Sequence, residues 1–461
     1  MPSADETIKY LYSLERGGIR PGLERIERLM DGLGHPHSSY PRIHVAGTNG
    51  KGSTAAFIAS ILQRAGYRVG LYTSPHIIKF NERIRINGRA MTDAALAKAA
   101  LAVKEAAGAL PEGIGPPSFF EFTTAIAFHY FREKKVDCAV IETGMGGRWD
   151  ATNVIAPLVS VITTVDIDHQ GHLGNSLGMI ASEKAGIIKK GAPVVCGEEK
   201  AEALDVIAKK ARETGVPLYR LGAEFNAAWA GPVIDYEGVS FASDPMSLIP
   251  QTYVRGRHLK PANAPSSDPA RNTVFIKGLR LGLAGGHQRA NAACAVAAVE
   301  VLRGLGWRIS GKALKDGLLK VNWPGRVEVV AKKPLVILDC AHNPAGARAL
   351  AGALQGFAFR RLILVMGIMA DKDAGGIIEA LAPLAHAIIF AAPVTDRAKS
   401  AEKLAADALP YAKTVITAPT VTDACKTAIA GAGPDDAVCV TGSIFTVGEA
   451  RGWFLKKRRK G

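Results

Sequence analysis

The sequence lacks any run of about 18 apolar residues free of charge or glycine, the length that a membrane-spanning helix needs. Its first ten residues, MPSADETIKY, lack the apolar region of a secretory signal peptide. The six cysteines are scattered and include no CxxC pair, so no zinc or dithiol motif is present. No internal repeat is evident. These absences predict a cytoplasmic protein with buried, reduced thiols and no membrane partner.

Motifs for nucleic-acid binding are also missing, although the chain is basic. Its 57 Lys and Arg residues outnumber 42 Asp and Glu, giving a net charge of +15. The basic residues are spread along the chain, except in the tail at residues 456–460, and no helix–turn–helix, zinc finger or aromatic–basic stripe accompanies them. We therefore expect no nucleic-acid partner and interpret the tail as a solvated end. A positive field also suits ATP and polyanionic small molecules.

A chain of 461 residues is too long for one ordinary core, so two or three domains are expected. Strand and helix patterns alternate from residue 43 to residue 221, which predicts a doubly wound parallel sheet of α/β class. Residues 223–283 predict a small β-rich insertion, with an exposed Pro/Ala/Ser-rich loop at 261–271. A smaller, Rossmann-like α/β domain follows. We predict domains at 1–322 and 328–461, joined by a hinge at 323–327.

A phosphate-binding loop follows the first predicted strand, at residues 43–46. It reads Gly47-Thr-Asn-Gly-Lys51-Gly-Ser53 and precedes a helix predicted at 55–65. Glycines let backbone N–H groups turn toward a phosphate, the lysine reaches terminal phosphates and a hydroxyl can hold Mg²⁺. The spacing differs from the common P-loop, G-x-x-x-x-G-K-[ST]. Here only two residues separate Gly47 from Gly50, and Gly52 lies between the lysine and the serine. The predicted nucleotide contacts are Asn49, Gly50, Lys51, Gly52 and Ser53.

Several further strings carry a resemblance to one family. The loop is followed by TSPHIxxFNERIRING, then by ETGxGGRxDATN at residues 142–153, DHxxxLG at 168–174 and GHxxxNAxxA at 286–295. With the loop, these resemble the folylpolyglutamate synthase/dihydrofolate synthase family of the Mur ligase superfamily. That superfamily consists of ATP-dependent ligases that form amide bonds. The matches extend over most of the chain.

The resemblance implies two Mg²⁺ ions, with Ser53, Ser74, Glu142 and His169 as ligands. Glu142 ends a predicted strand, where α/β folds place metal and phosphate chemistry, although a strand-end cap is the alternative. We favour His169 over His172 because it matches the family's motif. Lys184, which would ordinarily form a solvated ion pair with a glutamate, matches a family lysine that is carbamylated. It is counted as a catalytic residue with Lys51 and His342.

The remaining site residues are also implied by the resemblance. Those on the ATP side are Asn291, Arg326 and Asp339. The pterin side is represented by Ser118, Phe119, Phe120 and Glu121. An aromatic ring there can stack on a flat heterocycle, although aromatic residues at a helix start are more often part of the core. Further substrate contacts are Asp150, Ala151, Thr152 and, for glutamate, Ser443, while His342 faces the amino-acid site.

The resemblance therefore implies an ATP-dependent ligase that adds L-glutamate to dihydropteroate, to the γ-carboxylate of folates, or to both, through an acyl phosphate. The alternative within the superfamily is a Mur-type ligase acting on a UDP-linked peptidoglycan precursor. A P-loop regulator or nucleic-acid-stimulated ATPase is the alternative from another class. We expect small-molecule substrates and a monomer.

Overall fold

The computed structural model describes residues 3–18, 21–230, 233–239 and 273–458, and the chain divides into two compact units. The first unit comprises Met1–Ser74, Phe80–Gly282 and Arg289–Asn322. The second comprises Pro75–Lys79, Leu283–Gln288 and Trp323–Gly461. Neither unit is continuous in sequence, because two short segments inside the predicted first domain belong to the second unit. The predicted domain limits and the hinge at 323–327 remain predictions.

The first unit is built on an eight-stranded sheet. Its strands are β1 (Arg42–Ala46), β2 (Val69–Tyr72), β3 (Ile84–Ile86), β4 (Arg89–Ala90), β5 (Cys138–Glu142), β6 (Val159–Ile162), β7 (Val194–Cys196) and β8 (Leu218–Arg220), in the order β4-β3-β2-β5-β1-β6-β7-β8. The six adjacent strands β2-β5-β1-β6-β7-β8 pair in parallel. Strands β3 and β4 extend the sheet beyond β2 with antiparallel pairing. Because β1 lies between β5 and β6, its carboxyl end is where the chain switches direction across the sheet, the usual ligand position in such folds.

The helices of the first unit cover this sheet. They are α1 (Ala4–Ser13), α2 (Glu24–Gly32), α3 (Lys51–Arg64), α4 (Asp93–Gly108), α5 (Phe119–Glu133), α6 (Gln170–Leu173), α7 (Leu177–Ala185), α8 (Ala201–Thr214), α9 (Gln288–Gly304) and α10 (Gly311–Leu319). Phe122, Phe128 and Phe131 of α5 pack with Tyr72 and Ile141 in one buried cluster. Helices α7 and α8 close a second cluster over β6 and β7. Helix α3 packs against β1, β2, β5 and α10.

A small three-stranded antiparallel sheet forms the predicted β-rich insertion. Its strands are β9 (Phe225–Ala230), β10 (Val233–Val239) and β11 (Thr273–Leu279), in the order β11-β10-β9. In the first half of β9, Phe225 and Ala227 are buried while the residues between and after them are exposed, as expected for a strand that is partly covered on one face. The loop predicted at 261–271 lies outside the described residues, as does the end of the basic tail from residue 459 onward.

The second unit contains a six-stranded sheet. Its strands are β12 (Glu328–Lys332), β13 (Leu335–Leu338), β14 (Leu362–Met366), β15 (Ala387–Phe390), β16 (Val415–Thr417) and β17 (Ala437–Thr441), in the order β12-β13-β17-β14-β15-β16. All pairings are parallel except that of the edge strand β12. Its helices are α11 (Pro344–Leu354), α12 (Ala374–Leu381), α13 (Ala401–Ala408), α14 (Val421–Gly431) and α15 (Ile444–Arg458).

Alternation along these strands divides the second core in two. Leu364 and Met366 of β14 pack with α11, α12 and α13, whereas Ile363 and Val365 pack with α14 and α15. Helices on both faces of a mostly parallel sheet confirm the predicted fold class, an α/β unit with a β-rich insertion followed by a second, smaller α/β unit. Within the described parts of the chain, no helix combines the length and apolar character needed to cross a bilayer.

Candidate active site

The phosphate-binding loop joins β1 to α3, and two of its glycines cannot be replaced without strain. Gly47 has φ 149° and Gly50 has φ 84°, both in the region that side chains disfavour. A Cβ on Gly47 would collide with Thr163 Oγ1, and one on Gly50 with Asn291 Oδ1. The loop backbone therefore passes directly against β6 and the start of α9. The predicted ATP contact Asn291 lies beside this loop.

Two lysine side chains meet at one carbonyl of the loop. Lys51 Nζ donates to the carbonyl oxygens of Gly47 and Thr48, at 3.0 Å and 3.1 Å. Lys184 Nζ, from α7, donates to the same Gly47 oxygen at 2.9 Å. Lys184 is only 3% exposed, and burial, with repulsion from Lys51, lowers its pKa to about 7. A substantial fraction of Lys184 is therefore an uncharged amine near neutral pH.

Asn49, the residue before Gly50, is held from both sides. Its Nδ2 group donates to Asp166 Oδ2 at 3.1 Å, and its carbonyl accepts from Thr163 Oγ1 at 2.6 Å. Ser53 is buried in the first turn of α3. The helix begins at Lys51, four residues before the predicted start, because Gly50 in its left-handed conformation occupies the N-cap position.

The carboxylate of Glu142 ends β5 next to the loop strand. Glu142 is paired in register with Val45 of β1, and Ser74 donates its backbone N–H to Glu142 Oε2 at 3.2 Å. Ser53, Ser74 and Glu142 offer hydroxyl and carboxylate oxygens, the donor type that Mg²⁺ prefers. Among the residues that the structure describes, no group of three or more His, Cys, Asp and Glu is arranged to hold a metal. The chemistry of the donors fits Mg²⁺, and their role as ligands stays a prediction.

His169 adopts a left-handed conformation, with φ 51°, immediately before α6. Its Nε2 atom lies 3.9 Å from Asp168 Oδ2, and its side chain is 37% exposed. An exposed imidazole beside carboxylates is compatible with metal binding, and the role of His169 as a ligand stays a prediction. Asp166, the other upstream aspartate, is engaged with Asn49 and with Lys200 instead.

Asp150, Ala151 and Thr152 are buried together at the end of the GMGGRWDATN segment. Asp150 accepts from the Met145 N–H at 2.9 Å and from the Thr152 hydroxyl at 2.5 Å. Because that hydroxyl proton is directed to Asp150, His44 Nε2 donates to Thr152 Oγ1, 2.8 Å away. Burial raises the pKa of Asp150 and lowers that of His44 to about 3. His44 was missed because a histidine in an apolar strand carries no distinguishing pattern.

Ser118 and Glu121 form a capping box at the start of α5. Ser118 Oγ accepts from the Glu121 N–H at 3.3 Å, and Glu121 Oε2 accepts from the Ser118 N–H at 2.7 Å. Arg25 Nε also donates to Glu121 Oε2, at 3.2 Å. These contacts give both residues a structural role, and their part in substrate binding stays a prediction.

Phe119 and Phe120 lie beside other aromatic rings. Phe119 stacks on Tyr12 with ring centroids 5.8 Å apart, and the Arg83 guanidinium lies 5.2 Å from the Phe119 centroid. The Phe120 centroid is 6.1 Å from that of Tyr72. Both phenylalanines are partly exposed and pack against the large core cluster. Tyr12 and Arg83 were not named as site residues from the sequence. Tyr12 lies in none of the motifs, and Arg83 belongs to the FNERIRING string but was given no role of its own.

The second unit gathers Arg326, Asp339 and His287. Asp339 Oδ2 accepts from the Val327 N–H, and Asp339 Oδ1 accepts from the Ala341 N–H, both at 2.9 Å. Burial lowers the pKa of His287. The charge of Arg326 lowers this pKa further, and the charge of Asp339 partly opposes the shift. The two predicted ATP contacts therefore lie near one partly buried histidine of the GHxxxN motif.

His342 and Ser443 follow β13 and β17, which are neighbours in the sheet. His342 Nδ1 donates to the Cys340 carbonyl at 3.0 Å, and a role of this histidine on the amino-acid side stays a prediction. Ser443 Oγ accepts from the Thr446 N–H at 3.1 Å, in the first turn of α15. Ser443 is 2% exposed, so the structure gives it a helix-capping role, and glutamate binding by it stays a prediction.

Two family models match the chain over most of its length. Residues 45–299 match the Mur ligase middle domain, and residues 325–444 match the glutamate ligase domain of Mur ligases. The dihydrofolate synthase/folylpolyglutamate synthase of Bacillus subtilis is 39% identical over 438 residues, which cover 94% of this chain and 95% of that protein. The Mycobacterium tuberculosis protein of the same name is 36% identical, with 95% of this chain and 90% of that protein covered.

Solved structures agree with these sequence matches. Escherichia coli FolC in complex with DHPP and ADP superposes with a TM-score of 0.84 at 30% identity, covering 99% of this chain and 100% of that one. Mycobacterium tuberculosis folylpolyglutamate synthase complexed with ADP also gives 0.84, at 33% identity, covering 97% and 98%. From its sequence, its two matched domains and its fold, the chain belongs to the dihydrofolate synthase/folylpolyglutamate synthase family of Mur ligases.

Proposed function

We propose that this protein joins L-glutamate to dihydropteroate, to the terminal γ-carboxylate of folates, or to both, with ATP as the energy source. It is an ATP-dependent acid–amino-acid ligase. The observation that carries the proposal is the convergence of Lys51 and Lys184 on the Gly47 carbonyl, in a loop where a Cβ on Gly47 or on Gly50 would collide with a neighbour. Relatives that match over nearly the full length of both chains are named for these two activities.

The proposed reaction proceeds in two steps. The acceptor carboxylate attacks the γ-phosphorus of ATP, giving an acyl phosphate and ADP. The uncharged amino group of L-glutamate then attacks the acyl carbon, an amide forms, and phosphate leaves. Lys51 offsets the charge that develops on the transferred phosphoryl group, and the amides of the first turn of α3 lie at a positive helix end.

We propose that Ser53, Ser74, Glu142 and His169 hold two Mg²⁺ ions. When bound, such ions neutralise phosphate charge and align the phosphoryl group for transfer. In the second unit, Arg326 and Asp339 contribute to ATP binding and His342 to the amino-acid side. Asp339 and His342 follow the carboxyl end of β13, where α/β sheets usually bind ligands, which supports their part of the proposal.

Lys184 is proposed to become carbamylated. Its unprotonated Nζ adds CO₂ and loses one proton, so a buried amine becomes an anionic carbamate. The lowered pKa supports this step, because an ordinary lysine holds its proton at neutral pH. Carbamate formation is expected to increase as the pH rises through about 7 and as bicarbonate is added.

The first experiment measures ADP release with ATP, Mg²⁺ and L-glutamate, comparing dihydropteroate with tetrahydrofolate as acceptor. Turnover with both acceptors identifies a bifunctional enzyme, and turnover with one assigns it to that half of the family. A protein that binds ADP but turns over neither acceptor contradicts the proposal and favours a UDP-linked peptidoglycan precursor as substrate.

The carbamylation proposal is tested by ¹³C NMR of protein equilibrated with ¹³C-bicarbonate. A carbamate resonance is expected in the wild type and absent in Lys184→Met. Lys190→Met, which removes an exposed lysine a short distance further along, is the matched control and should retain the resonance. A signal that survives Lys184→Met, or none in the wild type, overturns the assignment.

We further propose that the protein is a cytoplasmic monomer. The six cysteines are all free and buried, as suits a reducing compartment. Sedimentation or light scattering at micromolar concentration should report a mass near 48.6 kDa, and twice that value would contradict the monomer.

A further inference from the structure

We propose that Asp166 and Lys200 are positioning residues for the phosphate-binding loop. They form an ion pair outside the loop that fixes Asn49, and through it the backbone of residues 50–53, in the conformation that binds nucleotide. The inference rests on the proposed ATP-dependent function, and neither residue belongs to the glycine loop or to the metal ligands proposed above.

Asp166 contacts both Lys200 and two residues of the loop. One carboxylate oxygen, Oδ2, accepts from Asn49 Nδ2 at 3.1 Å, and the other, Oδ1, accepts from Lys200 Nζ at 2.7 Å. Its backbone takes part as well: the Asp166 N–H donates to Thr48 Oγ1 at 3.0 Å, and Thr48 Oγ1 donates to the Asp166 carbonyl at 3.1 Å. One residue therefore holds two consecutive loop residues through side chain and main chain.

Lys200 is itself held by a buried carboxylate. Its Nζ donates to the Val165 carbonyl at 2.7 Å and lies 3.8 Å from Glu198 Oε1. Glu198 is only 2% exposed and accepts from the Lys200 N–H at 2.7 Å and from the Val165 N–H. The turn after β7 and the segment after β6 are thereby tied together, with Lys200 fixed over Asp166.

The arrangement addresses a physical problem of glycine-rich loops. Such a loop loses more backbone entropy on ordering than other sequences do, so a loop left mobile would bind phosphate weakly. Thr163 Oγ1 and the Thr164 carbonyl already hold the Asn49 carbonyl and the Thr48 N–H. Asp166, itself held by Lys200, adds a charge-assisted hydrogen bond to the Asn49 side chain.

The experiment compares Lys200→Met, Lys200→Arg and Asp166→Asn with the matched control Lys209→Met. Lys209 is an exposed lysine on α8, so its removal changes the net charge equally without touching the loop. The readouts are calorimetric affinity for Mg²⁺–ADP, KM for ATP against KM for L-glutamate, and the thermal unfolding midpoint. Since Lys200 is 45% exposed, its substitution is expected to leave the fold intact.

We expect Lys200→Met and Asp166→Asn to weaken ADP affinity and raise KM for ATP by about 5- to 10-fold, the effect of losing a partly solvated charged hydrogen bond. KM for glutamate should stay within about 2-fold, and Lys200→Arg should recover most of the loss, since arginine retains the charge. The double variant Lys200→Met/Asp166→Asn should lose less ADP affinity than the sum of the losses in the two single variants, because each single variant already removes the same interaction.

A fall in unfolding midpoint with unchanged ADP affinity and unchanged KM for ATP would show a purely structural pair and overturn the inference. Equal effects of Lys200→Met and Lys209→Met would overturn it too, by assigning the loss to general charge. The ADP measurement needs no acceptor, so failure to ligate folates would contradict the proposed function while leaving this inference standing.

Discussion

Lys51 Nζ is hydrogen-bonded to two carbonyl oxygens of its own loop, which holds the ammonium group where the loop backbone turns. The glycine pattern around Lys51 predicted that this lysine contacts phosphate. It did not predict the hydrogen bonds of Lys51 to the carbonyl oxygens of its own loop. The chemistry of phosphoryl transfer makes this charge more important in the transition state than in the bound substrate.

Lys51→Ala is expected to lower the rate of ADP formation by at least about 100-fold, the usual scale for removing a group that stabilises transition-state charge. The measurement is coupled-assay ADP release with saturating substrates. Lys190→Ala serves as the control because that lysine is exposed and lies outside the loop. Near-normal turnover by Lys51→Ala would remove the role assigned to this lysine.

At the same scale, one carboxylate of the second unit makes stability depend on pH. Asp436 accepts from Arg361 Nη2 at 2.6 Å and from the Gly433 N–H at 2.8 Å. The hydrogen bonds from the Arg361 side chain are the main reason that the pKa of Asp436 lies well below its ordinary value. A carboxylate with a lowered pKa stabilises the fold above its unfolded-state pKa of about 4, and this contribution is lost as the pH falls further.

Asp436→Asn should therefore have a lower free energy of unfolding than the wild type at pH 7. This difference should decrease as the pH falls below about 4. Urea unfolding at several pH values measures it. Asp435→Asn, at the exposed neighbouring position, is the control and should follow the wild-type curve. A difference that stays constant down to acid pH would exclude the linkage.

Among the elements, most strands and helices could be predicted because their residues repeat with a clear period and end at glycine or a capping residue. Helix α8, Ala201–Thr214, is an example, since Gly215 ends it in a left-handed conformation. The antiparallel hairpin of β3 and β4 was not predicted. Its strands are short, and their pairing with β2 is decided by tertiary packing.

The candidate site was less accessible to prediction than the fold. The sequence motifs identified candidate site residues. They could not predict the contact between Lys184 and the Gly47 carbonyl, because these residues are 137 positions apart. The same limit explains why His44, Asp166 and Lys200 were not recognised as site residues. Their roles come from partners on other strands, and a single sequence does not encode such pairings locally.

Helix α10 packs against α3 through a glycine. A Cβ on Gly317 would collide with the backbone of Ile61, and Ser60 Oγ donates to the Gly317 carbonyl at 2.8 Å. Gly317→Ala should therefore lower the free energy of unfolding by about 1–3 kcal/mol despite the better helix propensity of alanine. Chemical denaturation measures the change.

Gly311→Ala on the same helix is the matched control, because open space surrounds that position. It should be neutral or stabilise by up to about 1 kcal/mol. If the two variants had the same stability, the close approach of α10 to α3 would not be important for folding.

At the scale of the whole molecule, the second unit includes a segment from far earlier in the chain. Residues 75–79 pack with that unit, and a Cβ on Gly448 of α15 would collide with the Ile77 carbonyl oxygen. Because residue 75 directly follows the proposed metal ligand Ser74, a displaced Ile77 would also disturb that ligand.

Gly448→Ala is expected to destabilise the protein by about 1–3 kcal/mol and to lower ligase turnover. Thermal unfolding and ADP release are the two measurements. Gly452→Ala, one helical turn further along α15 with nothing close by, should leave both unchanged. Equal behaviour of the two variants would show that Ile77 moves freely away from α15.

The discontinuity of the units restricts how such a gene can recombine. A single crossover near codon 323 would transfer residues 323–461 but leave behind 75–79 and 283–288, which belong to the same compact unit. The hybrid would join segments of two lineages inside one core, where packing tolerates little mismatch. Functional chimaeras between family members should therefore arise from exchange of all three segments together, so the two units are expected to share one evolutionary history.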